Sequence, residues 1–306
     1  MNPNTIVVIG SGNMGAGIAA IFSAAGHPVV LLGRDVQRLQ ARLPAIGALA
    51  ATLQPVSQHG PVMAADVTTW NEWPGVELVI ETISEDLAAK RTLFAELDRR
   101  VPPHIPIGSN SSGYGIDEMT EGLGTADRML NVHYSMPAHI VPMVEVALGS
   151  QTGLPLAESV CRLIQATGKK TTLIRQYIPG LLITRLQHAL MREALSLVDQ
   201  GIVTPQDIDD AVRFGFGFRF AALGPMAQKE MSGWDTHVAS GASVYPSLSN
   251  ISTPPACVAD LVKQGRTGMK SGAGFAQWTP EEVAAFKRRY EERLQAAFAV
   301  LSVAPD

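Results

Sequence analysis

The stretch IVVIGSGNMGAG, Ile6 to Gly17, decides how the chain begins. Four β-favouring apolar residues, Ile6 to Ile9, run into glycines spaced as G-x-G-x-x-G: Gly10, Gly12 and Gly15. Asn13 and Met14 fill the turn, and a helical pattern follows to Ala25. A second apolar run, VVLLGRD from Val29 to Asp35, comes at the distance a βαβ unit requires. In that context Gly10 allows the tight turn, Gly12 lets a pyrophosphate approach the backbone, and Gly15 lets helix and strand pack closely. The unpaired N–H groups at the helix start favour the phosphates. The stretch therefore predicts a dinucleotide site.

Such a site normally closes its second strand with Asp or Glu, which accepts from the adenine ribose. Gly33 stands there instead, and Arg34 follows. A 2′-phosphate would repel a carboxylate and welcome a guanidinium in fork geometry. Arg34, with Arg38 one helical turn on, favours NADP(H). NAD(H) stays open, because Asp35 can either cap the next helix or serve the ribose.

Working outward, the first half alternates strand-like and helix-like runs. Strands are expected at Thr5–Ile9, Pro28–Leu32, Val67–Thr69, Leu78–Ile80, Ile105–Gly108, Met129–His133, Met143–Ala147 and Lys170–Ile174. Helices are expected at Asn13–Ala25, Val36–Leu53, Asp86–Arg100 and Leu156–Thr167. Such alternation implies parallel pairing with helices on both faces. After Pro179–Gly180 the pattern is helical almost throughout. The expected architecture is an α/β Rossmann-like domain over 1–179, then an all-α substrate and dimerisation domain over 180–306.

The 306 residues are 46% apolar and 17% charged, enough to bury a core. A net charge of −4 without a Lys/Arg block argues against nucleic acid. No apolar run is long enough to cross a bilayer, and the N-terminus lacks a signal-peptide pattern. Two cysteines, Cys161 and Cys257, make no disulfide framework and no metal spacing. A cytoplasmic protein without a metal is expected.

Dehydrogenation of an alcohol needs a base beside the reacting carbon. The run NVHYSMPAHIVPMVEV, Asn131 to Val146, offers His133, with Glu145 twelve residues on. A carboxylate on the far ring nitrogen would fix the tautomer and stabilise the charged form. A structural histidine is the competing reading of His133 alone. Upstream, SNSSGYGI places Ser109, Ser111 and Ser112 just past a strand end, where ligands gather in such sheets.

With these motifs in order, the chain resembles the 3-hydroxyacyl-CoA dehydrogenase superfamily over nearly its whole length. The resemblance is carried by the glycine turn, LVIETISEDLAAK, SNSSG, the His133–Glu145 pair, PGLLITRL, GFGFRFAALGPM and KSGAGF. It implies that His133 is the general acid/base, Glu145 its orienting partner and Ser112 a hydrogen-bonding group for the substrate oxygen. It places Glu85, Lys90 and Lys270 near the cofactor, puts the active site in a cleft between the domains, and implies a homodimer.

Two residues depart from the family pattern. Met136 and Thr184 stand where the family usually has asparagines that face the substrate, which removes two amides able to donate and accept at once. The segment Val36 to Gly75 has only Arg38 and Arg42 among Lys and Arg, and Lys90 is the first lysine of the chain. That is a poor setting for the phosphates of CoA. GFGFRFAALGPM resembles the branch acting on small polar acids, which includes gulonate, carnitine and pyridine-carboxylate dehydrogenases. Arg219, between aromatic residues, is the expected binder of a substrate carboxylate. The alternatives are an acyl-CoA dehydrogenase and a dinucleotide-binding structural or sensor protein without catalysis.

Overall fold

A computed structural model describes residues 4–54 and 59–301. The chain divides into two compact units, Met1–Arg185 and Leu186–Asp306.

In the first unit the order is β1 (Thr5–Ile9), α1 (Asn13–Ala24), β2 (Val29–Gly33), α2 (Val36–Gln40), α3 (Leu43–Leu53), β3 (Val62–Asp66), β4 (Val76–Glu81) and α4 (Leu87–Arg100). It continues with β5 (Ile107–Ser109), α5 (Ile116–Met119), β6 (Met129–Tyr134), β7 (Met143–Leu148), α6 (Leu154–Gln165), β8 (Lys170–Ile174) and the start of α7 (Ile183–Asp199). The eight strands form one sheet in the order β3-β2-β1-β4-β5-β6-β7-β8. Both faces are covered. Ile6 and Val8 of β1 pack with Ile18, Phe22 and Ile46 on one side; Val7 and Ile9 pack with Phe94 and Leu97 on the other. That is why β1 reads as a continuous apolar run rather than an alternating one. Phe22 is fully buried, which is worth about 1.5–3 kcal/mol relative to exposure.

Three expectations are corrected. The strand placed at Val67–Thr69 lies instead at Val62–Asp66, and residues 67–69 are a turn. Asp66 accepts from the N–H and hydroxyl of Thr68, so a side chain takes the bond a ladder would have used. The helix placed at Val36–Leu53 is two helices, broken at Ala41–Arg42. Pro44 lies at the start of the second, the one region of a helix that tolerates proline. Finally, β6 and β7 pair antiparallel, whereas the other pairings are parallel. Only the loop 135–142 joins them, too short for the crossover a parallel pair needs.

The second unit continues α7 and adds α8 (Pro205–Asp210), an irregular π turn at Ala211–Phe216, α9 (Gly217–Phe220), α10 (Pro225–Ser232), α11 (Trp234–Val244), α12 (Ala256–Lys263) and α13 (Pro280–Leu301). Among its described residues only Ala194, Gly241 and Gly274 are buried. No helix among the described residues is long and apolar enough to cross a membrane.

Candidate active site

The glycine turn is shaped by close contact. Gly10 has φ +130°, and a Cβ there would lie 2.4 Å from the Thr82 hydroxyl oxygen. A Cβ on Gly15 would lie 2.3 Å from the Gly10 carbonyl oxygen, so only glycine lets α1 start this near β1. A Cβ on Gly12 would meet no protein atom within 4 Å. Gly12 also N-caps α1 without any side-chain hydrogen bond, so the first N–H groups of Asn13, Met14 and Gly15 are left for an anion. These features fit a dinucleotide diphosphate.

At the end of β2, Arg34 and Arg38 are exposed. Asp35 caps α2, its Oδ1 accepting from the Arg38 N–H at 3.0 Å. Gly33 pairs with Asp66 on β3, and a Cβ at 33 would press on Leu39 at 3.1 Å.

A cavity of about 280 Å³ opens beside the turn, lined by Met14, Glu85, Lys90, Ser112, His133 and Met136 among others. The fold therefore brings these six expected residues together. Their positions follow from the strand ends. His133 and Glu145 are register partners across β6 and β7, so their side chains share a face. His133 Nδ1 lies 2.8 Å from Glu145 Oε2. The other carboxylate oxygen accepts from the N–H groups of Leu182 and Ile183, at 2.7 and 2.8 Å, where α7 begins. Burial opposes ionisation of Glu145, but the bonds from His133, Ile183 and Leu182 outweigh it and hold the carboxyl below its ordinary value. A buried carboxylate accepting from Nδ1 leaves Nε2 as the basic nitrogen. Thr184 directly follows the anchored Ile183 and is half-buried.

Also in the cavity lining, Lys90 is 1% exposed and reaches Glu81 at 2.7 Å and Glu85 at 3.4 Å. Burial raises the cost of charging Glu85, yet the Ser111 hydroxyl, the Gly113 N–H and Lys90 together lower its pKa. Ser112 is exposed on the adjoining loop. Met136 is 68% exposed.

Several supporting residues escaped the sequence reading. Buried Glu81 accepts from Lys90, the Ser109 hydroxyl and the Ile83 N–H. Asn131 is buried and holds the serine loop, accepting from the Ile116 N–H and donating to the Tyr114 carbonyl. Asn110 accepts from the Tyr134 N–H at 2.8 Å. Lys169 donates to the carbonyls of Ala138, His139 and Val141, tying down the loop after His133. A charged residue ending an apolar strand is the one sequence signal Glu81 offered. Arg219 and Lys270 belong to the helical unit, and both are exposed.

The pattern of the 3-hydroxyacyl-CoA dehydrogenase NAD binding domain matches residues 5–177, and that of the 3-hydroxyacyl-CoA dehydrogenase C-terminal domain matches residues 180–278. The chain belongs to the 3-hydroxyacyl-CoA dehydrogenase family. It is thus an oxidoreductase of a nicotinamide-dinucleotide-dependent family, with a Rossmann-like domain followed by a helical one. Among relatives in this family, the 5-formyl-3-hydroxy-2-methylpyridine 4-carboxylate 5-dehydrogenase of Mesorhizobium japonicum is 30% identical over 303 residues, 97% of each chain. The 3-hydroxyadipyl-CoA dehydrogenase of Escherichia coli is 30% identical over 93% of this chain and 61% of its own. A crystal structure of a 5-formyl-3-hydroxy-2-methylpyridine 4-carboxylic acid 5-dehydrogenase, described as an NAD+ dependent dismutase, matches with a TM-score of 0.90 at 28% identity. That match covers 99% of this chain and 100% of the other.

Proposed function

We propose that the protein interconverts an alcohol and a carbonyl on a small, carboxylate-bearing substrate, with His133 as general acid/base. The observation that carries this reading is the cross-strand His133–Glu145 contact at the wall of a cavity beside the glycine turn. The bound nicotinamide supplies or accepts the hydride. In oxidation, Nε2 of His133 takes the hydroxyl proton, and Glu145 stabilises the imidazolium. In reduction the same nitrogen returns it. Ser112 hydrogen-bonds the substrate oxygen, and Thr184 supplies a second hydroxyl. Met136 gives the cavity an apolar wall where an amide would bind a polar group. Glu85, Lys90 and Lys270 would be the further residues that hold the cofactor. Arg219 binds the carboxylate; it is an exposed guanidinium between Phe218 and Phe220.

The cofactor reading is NADP(H) over NAD(H). It rests on Gly33 in place of the ribose acid, on exposed Arg34 and Arg38, and on the engagement of Asp35 as a helix cap.

The substrate class is supported by full-length similarity to a pyridine-carboxylate dehydrogenase and by the shortage of cations along Val36 to Gly75. Equal identity to a hydroxyacyl-CoA dehydrogenase favours a second reading, a CoA thioester substrate. The deciding experiment is turnover of the purified enzyme on small hydroxy acids and aromatic hydroxymethyl carboxylates, against 3-hydroxybutyryl-CoA, each with NAD⁺ and NADP⁺. Preference for the thioester would replace the small-acid reading. Absence of turnover across the panel, with the dinucleotide bound, would favour a non-catalytic protein.

The helical unit supports a homodimer. It exposes Phe214, Phe218, Met226, Met231 and Val238, each at 67–79%. Brought together on one face, these side chains would form the apolar patch that a second copy covers. Sedimentation at twice the chain mass of 32.6 kDa is the expected result, and a monomer would overturn it.

A further inference from the structure

The break between α2 and α3 sets Arg42 against the glycine turn. Its guanidinium donates to the Ser11 carbonyl and, at 2.9 Å, to Oδ1 of Asn13. These two acceptors flank Gly12, the residue whose absent side chain opens the backbone to a diphosphate. Both acceptors are uncharged. Among the described residues no carboxylate forms an ion pair with Arg42.

The placement runs against the field of the helix. A helix N-terminus carries partial positive charge and favours anions, so a cation held there is disfavoured in the free protein. The first turn of α1 contains no acidic residue to offset it. An anion between the guanidinium and the α1 N–H groups would reverse the balance, since both would then attract it. Two of the five guanidinium N–H donors satisfy the turn, and the rest are available for phosphate oxygens.

We propose that Arg42 is a diphosphate-binding and turn-positioning residue of the dinucleotide site. It couples α3 to the glycine turn and supplies positive charge that both NADH and NADPH use. Its role is separate from that of Arg34, which lies at the end of β2 and is proposed to read the 2′-phosphate. It therefore does not depend on which dinucleotide the enzyme prefers.

The test is a fluorescence titration of the purified protein with NADH and NADPH over a range of KCl concentrations. Arg42→Met is expected to weaken both cofactors by a similar factor, about tenfold or more, and to flatten the salt dependence of binding. Arg42→Lys keeps the charge but not the fork, so it should retain the salt dependence while losing part of the affinity. Asn13→Ala, which removes one of the two contacts and leaves the cation, serves as the second variant and should weaken both cofactors less. Melting temperatures of the free proteins confirm that each variant folds. Unchanged NADH affinity in Arg42→Met would overturn the proposal, as would a loss confined to NADPH or a loss with the wild-type salt dependence. If NADPH preference fails while Arg42→Met still weakens both cofactors, only the 2′-phosphate reading falls.

Discussion

His133 and Glu145 face each other across the antiparallel pair β6–β7, with Nδ1 and Oε2 2.8 Å apart and the carboxylate fully buried. A one-residue slip in that register would turn the two side chains to opposite faces. The pairing of β6 with β7 is therefore what makes a histidine twelve residues from a glutamate into a possible proton-transfer unit.

Replacing His133 by Ala should lower turnover by about 10²–10⁴-fold, the usual contribution of a positioned acid/base. Dinucleotide affinity should stay near wild type, because the side chain lies on the cavity wall and not on the glycine turn. Steady-state kinetics paired with a cofactor titration would check both. Equal losses in the two would point to a collapsed site instead.

Glu145 should leave a signature in acid. Its folded pKa lies below the ordinary 4.5, so the folded state binds that proton less readily than the unfolded chain. The stability it contributes is full above the unfolded value and is lost as pH falls through the folded one. Urea unfolding below pH 4.5 should show a shallower loss for Glu145→Gln than for wild type. Parallel curves would remove Glu145 from the acid response.

Cofactor choice is open to a paired exchange at the end of β2. Arg34→Ala should weaken NADPH and leave NADH nearly unchanged. Gly33→Asp should improve NADH by restoring the ribose acceptor, at a small cost in stability, because its Cβ meets Leu39 at 3.1 Å. Fluorescence titration with both dinucleotides would measure the ratio. A ratio untouched by either change would make Arg34 a bystander.

Lys169 offers a stability test away from the cavity. Burial pushes its pKa down to about 8, so it is still largely an ammonium at neutral pH, and it donates to three backbone carbonyls. Lys169→Met strands those acceptors and should cost about 2–3 kcal/mol. Chemical denaturation would report the loss. Because the same loop carries Met136, the substrate KM should rise more than kcat falls.

The βαβ start was legible because its signals are local. Three glycines at fixed spacing, an apolar strand before them and another after need no distant partner to be read. The same holds for Asp35, a helix-cap candidate in the sequence that caps α2 in the structure. The position of β3 differs from expectation where propensity and context conflict: Val67 and Thr69 favour strands, but Asp66 turns the chain by accepting from Thr68. The expected long helix is two helices because Pro44 is tolerated just inside a helix start, and a start in mid-pattern is invisible to periodicity.

The sequence by itself determined the dinucleotide turn, the alternation of strands and helices in the first half, and the presence of a histidine and a glutamate at strand-like positions. Those features depend on neighbours along the chain. Only the tertiary structure decided that β6 and β7 run antiparallel, that Lys90 is shared by Glu81 and Glu85, and that Arg42 reaches back to Ser11 and Asn13. Each of these joins residues whose separation in sequence carries no periodic signal. Their meeting is set by sheet register and by where a helix breaks, which are outcomes of packing the whole core.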